Sequence, residues 1–356
     1  MDDLKDRQKE VLKFIVATYV KSVSPVGSRT IAKYYQNELS PATIRNEMHD
    51  LEERDYIRQP HTSAGRVPTD KGYRYYVDHL IVEAKIAPHV ASLVAREYRN
   101  RVENIENLVE RTSRILSTLS EQAGLVTFPA FEDLVLKRIE LTSLGARRLL
   151  VVWVTDNGLI QNRVIDMKEE IPDEELIRIK RFLNQELEGM LLNQIRPCLG
   201  EKLERARDAI RALCETARFI VFESFPKTDE KRLSIEGSRY ILEQPEFQDW
   251  EKSRRLFKTI ESKESLVDLV GKIPERQGVR VQIGVEHHCN DIWDCSFVTA
   301  QYRVHQRPVG TLGILGPRRM QYDRIISLVD FVSRRFGEAL ESGFKYDQTR
   351  KAKTRT

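Results

Sequence analysis

Cysteine is scarce in this sequence. Cys198, Cys214, Cys289 and Cys295 are the only four in 356 residues, too few and too dispersed to imply a disulfide framework. The nearest thing to a metal-ligand group is His287-His288-Cys289 with Cys295. It lacks the paired Cys-x-x-Cys knuckles of a compact zinc site, and adjacent histidines on a strand point to opposite faces. Long apolar runs are missing too, which argues against a membrane-spanning helix. The opening residues Met1-Asp2-Asp3-Leu4-Lys5 lack the basic-then-apolar order of a secretory signal. A soluble, cytoplasmic protein with no membrane contact is expected. There is no Gly-x-Ser-x-Gly elbow, Walker-type phosphate loop or dinucleotide fingerprint, and no nucleophile beside an identifiable base. The expectation is therefore a protein that is not an enzyme and needs no cofactor or metal. A strong charge surplus is also absent: 58 basic against 54 acidic residues leave +4. Nucleic-acid binding must therefore rest on where charges sit rather than on their sum.

What is present begins at the N-terminus. Leu4 to Lys21 places Leu4, Val11, Leu12, Ile15, Val16 and Tyr19 at helical spacing. Ser24-Pro25-Val26-Gly27 ends that helix. Ser28 is expected to cap a short second helix, Arg29 to Tyr35. Ser40-Pro41 opens a third, with Ser as N-cap, Pro at the first helical position, and Ile44, Met48 and Leu51 as its apolar stripe. A short turn between two helices, the second starting at a capped end, is the DNA-reading arrangement. On the third helix Thr43, Arg45, Asn46 and His49 are candidate base readers. Arginine forks onto guanine, asparagine pairs with adenine, and threonine meets a phosphate or a thymine methyl. An ordinary polar helix face is the competing reading of these residues alone.

The next stretch favours the first reading. Tyr56-Ile57-Arg58 reads as a strand, Pro60 to Gly65 as a turn, and Arg66-Val67 as a return strand, making a β-hairpin wing. Ser28, Arg29, Ser40, Arg58, His61, Ser63 and Arg66 are the candidate contacts to the DNA backbone: small residues permit close approach, and basic ones supply charge. Thr69 is placed to cap a further helix from Asp70 to about Val82.

Beyond a short join at Val82 to Pro88, Ser92 to Gln122 reads as one long amphipathic helix, either packed on its own domain or acting as a dimer-contacting linker. Leu134 to Leu141, Arg147 to Val154 and Leu159 to Asp166 read as strands, the last two joined by Asp156-Asn157-Gly158. Helices are expected at Asp173 to Glu188, briefly near Met190 to Ile195, and at Glu201 to Arg218. So small a sheet cannot have both faces covered unaided, which makes a partner surface plausible. Leu233 to Ile241 starts another strand-rich region, and Trp250 to Val270 is mostly helical. Val279 to Glu286, Ser296 to Tyr302 and Arg307 to Leu315 are β-rich, and Tyr322 to Ser342 closes with a helix. Gly316-Pro317-Arg318-Arg319 reads as a turn into that helix rather than an anion site. The fold class is α+β.

Ser40-Pro41-Ala42-Thr43-Ile44-Arg45-Asn46-Glu47-Met48, Gln59-Pro60-His61-Thr62-Ser63-Ala64-Gly65-Arg66-Val67-Pro68-Thr69 and Gly72-Tyr73-Arg74 resemble the heat-inducible transcription repressors called HrcA. So does Gly310 to Tyr322, far downstream, and shorter phrases between them such as Ile235-Glu236-Gly237 and Ile283-Gly284-Val285-Glu286. The resemblance spans almost the whole chain. One departure is Asp55, where the family usually has glycine; another is the basic tail at 346–356. The resemblance implies a winged helix-turn-helix at 1–85 and a GAF-like domain at 90–125 and 222–345, with a small α+β dimerisation domain inserted at 126–221. It also implies a homodimer on double-stranded, inverted-repeat operator DNA upstream of chaperone genes, inactivation on heating, and reactivation by the GroE chaperonin. The rival expectation is a metabolite-sensing regulator with a ligand in the GAF-like domain.

Overall fold

The computed structural model describes residues 4–35, 40–62, 64–82, 84–99, 105–129, 134–156, 160–205, 208–225, 233–262, 266–267, 269–270, 278–287 and 289–353. Helix α1 (Asp6–Ser22) buries Val11, Leu12, Ile15, Val16 and Val20. It ends at Val23, whose left-handed backbone (φ 57°) returns an N–H to the Tyr19 carbonyl. Helix α2 (Ser28–Tyr34) is capped by Gly27, without a side-chain bond, so Ser28 is the first helical residue and not the cap. Helix α3 (Pro41–Glu53) starts as its sequence dictates: Ser40 Oγ accepts the Thr43 N–H at 3.1 Å, and Pro41 fills the first helical position. Its exit is a Schellman turn, with Tyr56 N–H to the Leu51 carbonyl and Asp55 N–H to Glu52, both 2.9 Å. Asp55 takes the left-handed position (φ 59°) that glycine occupies more cheaply.

Strands β1 (Ile57–Arg58) and β2 (Val67–Pro68) pair antiparallel as the wing. The segment that ends α1 contributes a third rung, since Val26 and Arg66 exchange N–H···O bonds of 2.9 Å. A Cβ on Gly65 would stand 2.5 Å from the Val26 carbonyl, so this glycine serves internal pairing of the wing. Thr69 caps α4 (Asp70–Tyr75), which continues as one wider π turn through Leu80.

The long helix expected over Ser92 to Gln122 is instead two, α5 (Pro88–Arg99) and α6 (Ile105–Ser120). Tyr98 Oη lies 3.0 Å from Thr112 Oγ1, fourteen residues on. One straight helix would separate them by about 21 Å at 1.5 Å per residue. Amphipathic spacing continues across both helices and so could not reveal the reversal. Next comes β3 (Ala123–Thr127), a strand that the sequence reading did not anticipate.

A meander of β4 (Leu136–Ser143), β5 (Arg148–Thr155) and β6 (Ile160–Asp166) follows. Most of its β5–β6 turn, at 157–159, lies outside the described residues. Helices α7 (Asp173–Leu187), α8 (Leu192–Arg205) and α9 (Asp208–Ser224) come next. The expected short helix near Met190 to Ile195 is the start of the longer α8, which absorbs Pro197 within it, and α9 begins later than expected. Trp153 of β5 stacks on Phe225 at 5.0 Å. Asn184 of α7 uses both ends of its amide on the Ile139 backbone, covering the edge of β4. The opposite sheet face, with Leu150, Val152, Val154 and Ile160, is only partly buried, and Val164 there is 51% exposed.

The chain then returns through β7 (Leu233–Glu236), which pairs antiparallel with β3. The meander and its helices therefore sit between two neighbouring strands of one sheet. Short α10 (Ser238–Leu242) and α11 (Trp250–Glu261) precede β8 (Val279–Ile283), β9 (Cys295–Val304) and β10 (Arg307–Pro317). The five strands run β7-β3-β10-β9-β8, all antiparallel. Helices α6 and α12 (Tyr322–Lys353) cover one face. Phe247, Leu256 and Ile260 meet Leu125, Phe297 and Leu315 on the other. Trp250 to Glu261 is helical as expected, but Leu233 to Ile241 is half strand and half helix. His287 is buried: Nε2 lies 3.1 Å from the Cys295 carbonyl and its ring meets Phe297 edge-on. His288 lies outside the described residues. No described helix is long and apolar enough to cross a membrane.

Candidate nucleic-acid interface

The outer face of α3 presents the expected readers. Arg45 and Asn46 are exposed, and neither makes an ion pair or side-chain hydrogen bond among the described residues. Thr43 sits one turn nearer the helix start, its hydroxyl 2.9 Å from Ser40 Oγ and thus tied into the cap. His49 is also exposed but leans along the helix, 3.4 Å from Glu53. Arg29 on α2 and Arg58 and His61 on the wing are exposed and free of ion pairs among the described residues, while Ser28 is half-buried. Ser63 lies outside the described residues.

Arg66 is placed differently from the other wing residues. Its Nε and Nη2 grip one carboxylate oxygen of Glu52 at 2.9 and 2.8 Å. The other Glu52 oxygen accepts the Gln59 backbone N–H at 3.0 Å. Gln59 in turn donates its side-chain amide to the Thr62 and Ala64 carbonyls, each at 2.9 Å. A single carboxylate on α3 thus holds both strands of the wing, and Gln59 shapes the turn between them. Arg66 is committed to this clamp, which neutralises the charge it was expected to offer a phosphate.

Two further acids of α3 are turned toward α1, while Glu53 stays exposed beside His49. Glu47 lies 3.8 Å from Arg7, and Asp50 accepts the Gln8 amide at 3.2 Å, with Arg54 donating to the other end of Gln8. This explains a module nearly balanced in charge: its carboxylates bind its own basic and amide groups, and its outer face keeps Arg45 with Asn46. Glu52, Gln59 and Gln8 were not singled out from sequence. Their partners are up to 46 residues away, and nothing in local spacing marks such pairs. The mixed acidic and basic residues of α3 read equally as a solvated face.

A capped, outward-facing helix following a shorter one, pinned to a basic-tipped hairpin, defines a winged helix-turn-helix DNA-binding protein. Comparison with known proteins gives the class a family. Residues 3–79 match the winged helix-turn-helix transcription repressor, HrcA DNA-binding model, and residues 106–326 match the HrcA protein C terminal domain. The heat-inducible transcription repressor HrcA of Pelotomaculum thermopropionicum is 39% identical over 338 residues, covering 95% of this chain and 97% of the relative. That of Geobacter sulfurreducens is 39% identical over 341 residues, covering 96% and 99%. A crystal structure of a hypothetical protein is 26% identical with a TM-score of 0.69, covering 96% of this chain and 100% of that one. The chain belongs to the HrcA family of heat-inducible transcription repressors, a non-enzymatic class.

Proposed function

We propose that the protein represses chaperone operons in the cytoplasm as a homodimer. Each subunit lays α3 in a major groove of one half of an inverted repeat. Arg45, Asn46 and Thr43 read base edges, with His49 at the far end. Ser28, Arg29, Ser40, Arg58, His61 and Ser63 meet the backbone, and Arg66 acts through Glu52 by fixing the wing. The observation that carries this reading is the exposed Arg45–Asn46 face, unpaired among the described residues, on a helix whose other charged groups are already partnered. A helix of this kind covers only a few base pairs, so a two-fold pair is needed for a long operator.

The second copy is best received by the inserted module, taken as residues 126–221 within a GAF-like domain of 90–125 and 222–345. The partly bare face of Leu150, Val152, Val154, Ile160 and Val164 supports this, since a three-stranded sheet loses apolar burial wherever one face meets water. Heating then lowers operator occupancy by loosening a marginally stable dimer, and the GroE chaperonin restores the folded form. Selection of bound DNA from a random pool tests the reading: an enriched inverted repeat is expected, and enrichment of isolated or direct repeats would reject it. Val164→Asp adds a charge at a half-exposed position, so the monomer should fold. Sedimentation should then show a dimer for the unaltered protein and a monomer for the variant. A variant that stays dimeric would move the interface elsewhere.

A further inference from the structure

The winged helix does not hang from the rest of the chain by residues 81–87 alone. Arg74 of α4 donates Nε to Glu286 at 2.7 Å and Nη2 to the Val281 carbonyl at 2.7 Å, reaching across 212 and 207 residues of sequence. Arg318, in the turn after β10, bridges Asp70 and Asp294, with 2.9 Å to each. The second oxygen of Asp70 accepts the Val285 N–H at 3.2 Å. Arg319 is fixed by Glu246 and Gln244 and reaches the Val20 carbonyl at the end of α1, 3.5 Å away. Gly284 has φ +54°, and a Cβ there would meet the Asp70 carboxylate at 2.1 Å, so the loop admits Asp70 only because it carries glycine. Tyr73, buried between the two parts, packs on Tyr322 with ring centroids 6.1 Å apart.

These contacts are directional. Each arginine is a planar fork held by a carboxylate on one side and a carbonyl or second carboxylate on another, which fixes rotation as well as distance. Burial opposes both guanidinium charges, but Glu286 and Asp78 around Arg74, and Asp70 and Asp294 around Arg318, outweigh it and hold both above the ordinary arginine pKa. The Gly316-Pro317-Arg318-Arg319 segment therefore does more than turn the chain.

We propose that the Asp70–Arg318–Asp294 and Arg74–Glu286 contacts form a latch that sets the orientation of the reading head. In the dimer this latch selects the spacing between operator half-sites, so Asp70, Arg74, Arg318 and Gly284 are positioning residues that never touch DNA. The proposal rests on the dimeric, two-half-site reading above. A latched head presents the second α3 at one place and angle, so its local concentration is high for one spacing and low for others. An unlatched head on a flexible join spreads that concentration over many spacings.

The test uses full-length protein, a probe with one half-site, and inverted repeats whose spacers vary through one helical turn. Two variants open the latch by different means. Asp70→Asn removes a charge at constant shape, and Gly284→Ala removes the space while keeping every charge. Folding and dimer state are checked by circular dichroism and sedimentation. The unaltered protein should show one sharp spacing optimum. Both variants should keep single-half-site affinity within about two-fold, lose about ten-fold at the optimum, and flatten the spacing profile. An unchanged profile in both folded variants would overturn the latch. Tighter binding at all spacings would also overturn it, by making the contact inhibitory, and so would an equal loss on the single half-site. If the unaltered protein gains nothing from a second half-site, the dimer reading fails and takes the latch with it; that failure is seen without any variant.

Discussion

The winged helix has two ends, and arginine serves them in opposite ways. At the end proposed to meet DNA, Arg45, Arg29 and Arg58 are exposed and unpaired among the described residues. At the domain end Arg74 and Arg318 are partly buried and paired, Arg74 with carboxylates and a carbonyl and Arg318 with two carboxylates. Arg66 stands between them in sequence and belongs with the second group. The difference shows that residue type alone does not tell a free arginine from a committed one. A cation left without an internal partner is the better candidate for phosphate, since counterion release needs a charge the protein has not already neutralised. It also accounts for a repressor whose formal charge is only +4.

The largest expected effect comes from removing the readers. Arg45→Ala or Asn46→Ala should each lower discrimination between operator and scrambled DNA by about 1–3 kcal/mol, the value of one good bidentate base contact. Both side chains are exposed, so thermal stability should stay within about 0.5 kcal/mol. Competition binding against scrambled duplex measures the first quantity and a melting curve the second. Discrimination unchanged in both variants would remove α3 as the reader.

The next effect separates Arg58 from Arg66, two arginines of the same hairpin. Arg58→Ala should reduce the slope of log affinity against log salt by about one unit, as one released counterion requires. Arg66→Ala should leave the slope nearly unaltered, because Glu52 already cancels that charge. Its effect should instead be a loss of stability of about 1.5–3 kcal/mol, typical of hydrogen bonds to charged groups, together with weaker binding to every sequence. Equal slopes lost in the two variants would mean that Arg66 leaves Glu52 when DNA binds.

How far the sequence foretold this molecule varies with the range of the interaction. Ser40 capping α3, Thr69 capping α4 and the wing strands are local matters of side-chain chemistry and turn residues, and they were legible. The left-handed Asp55 was legible as a departure from glycine. The reversal between α5 and α6 was not, because a helical hairpin keeps the same apolar period as one helix. Strand β3 was missed for a related reason: Ala123-Gly124-Leu125-Val126 is short and apolar, and runs on from the helical stripe. Of the candidate site, the exposed residues of α3 could be named, but the Glu52 clamp and the Arg318 bridge could not. Residues 52 and 66, or 70 and 318, meet only after the chain has folded, and a charged residue with a partner looks the same in sequence as one without.

The smallest effect concerns Tyr73 and Tyr322, which pack together where the winged helix meets the sheet domain and differ in the fate of their hydroxyls. Tyr322 Oη donates to the Arg318 carbonyl and lies 2.9 Å from Ser296 Oγ, with its ring fully buried. Tyr73 Oη is buried with no hydrogen-bond partner among the described residues. Burial pushes the pKa of both phenols up, so both remain neutral at physiological pH and only hydrogen bonding distinguishes them. Tyr322→Phe strands the Ser296 hydroxyl and frees the Arg318 carbonyl, and should cost about 1–2 kcal/mol. Tyr73→Phe removes a desolvated, unsatisfied group at nearly constant volume, and should be neutral or stabilise by up to about 1 kcal/mol. Denaturant melts of the two variants measure both. If Tyr73→Phe destabilises as much as Tyr322→Phe, the Tyr73 hydroxyl is bonded in solution, and the interface holds a water between head and sheet.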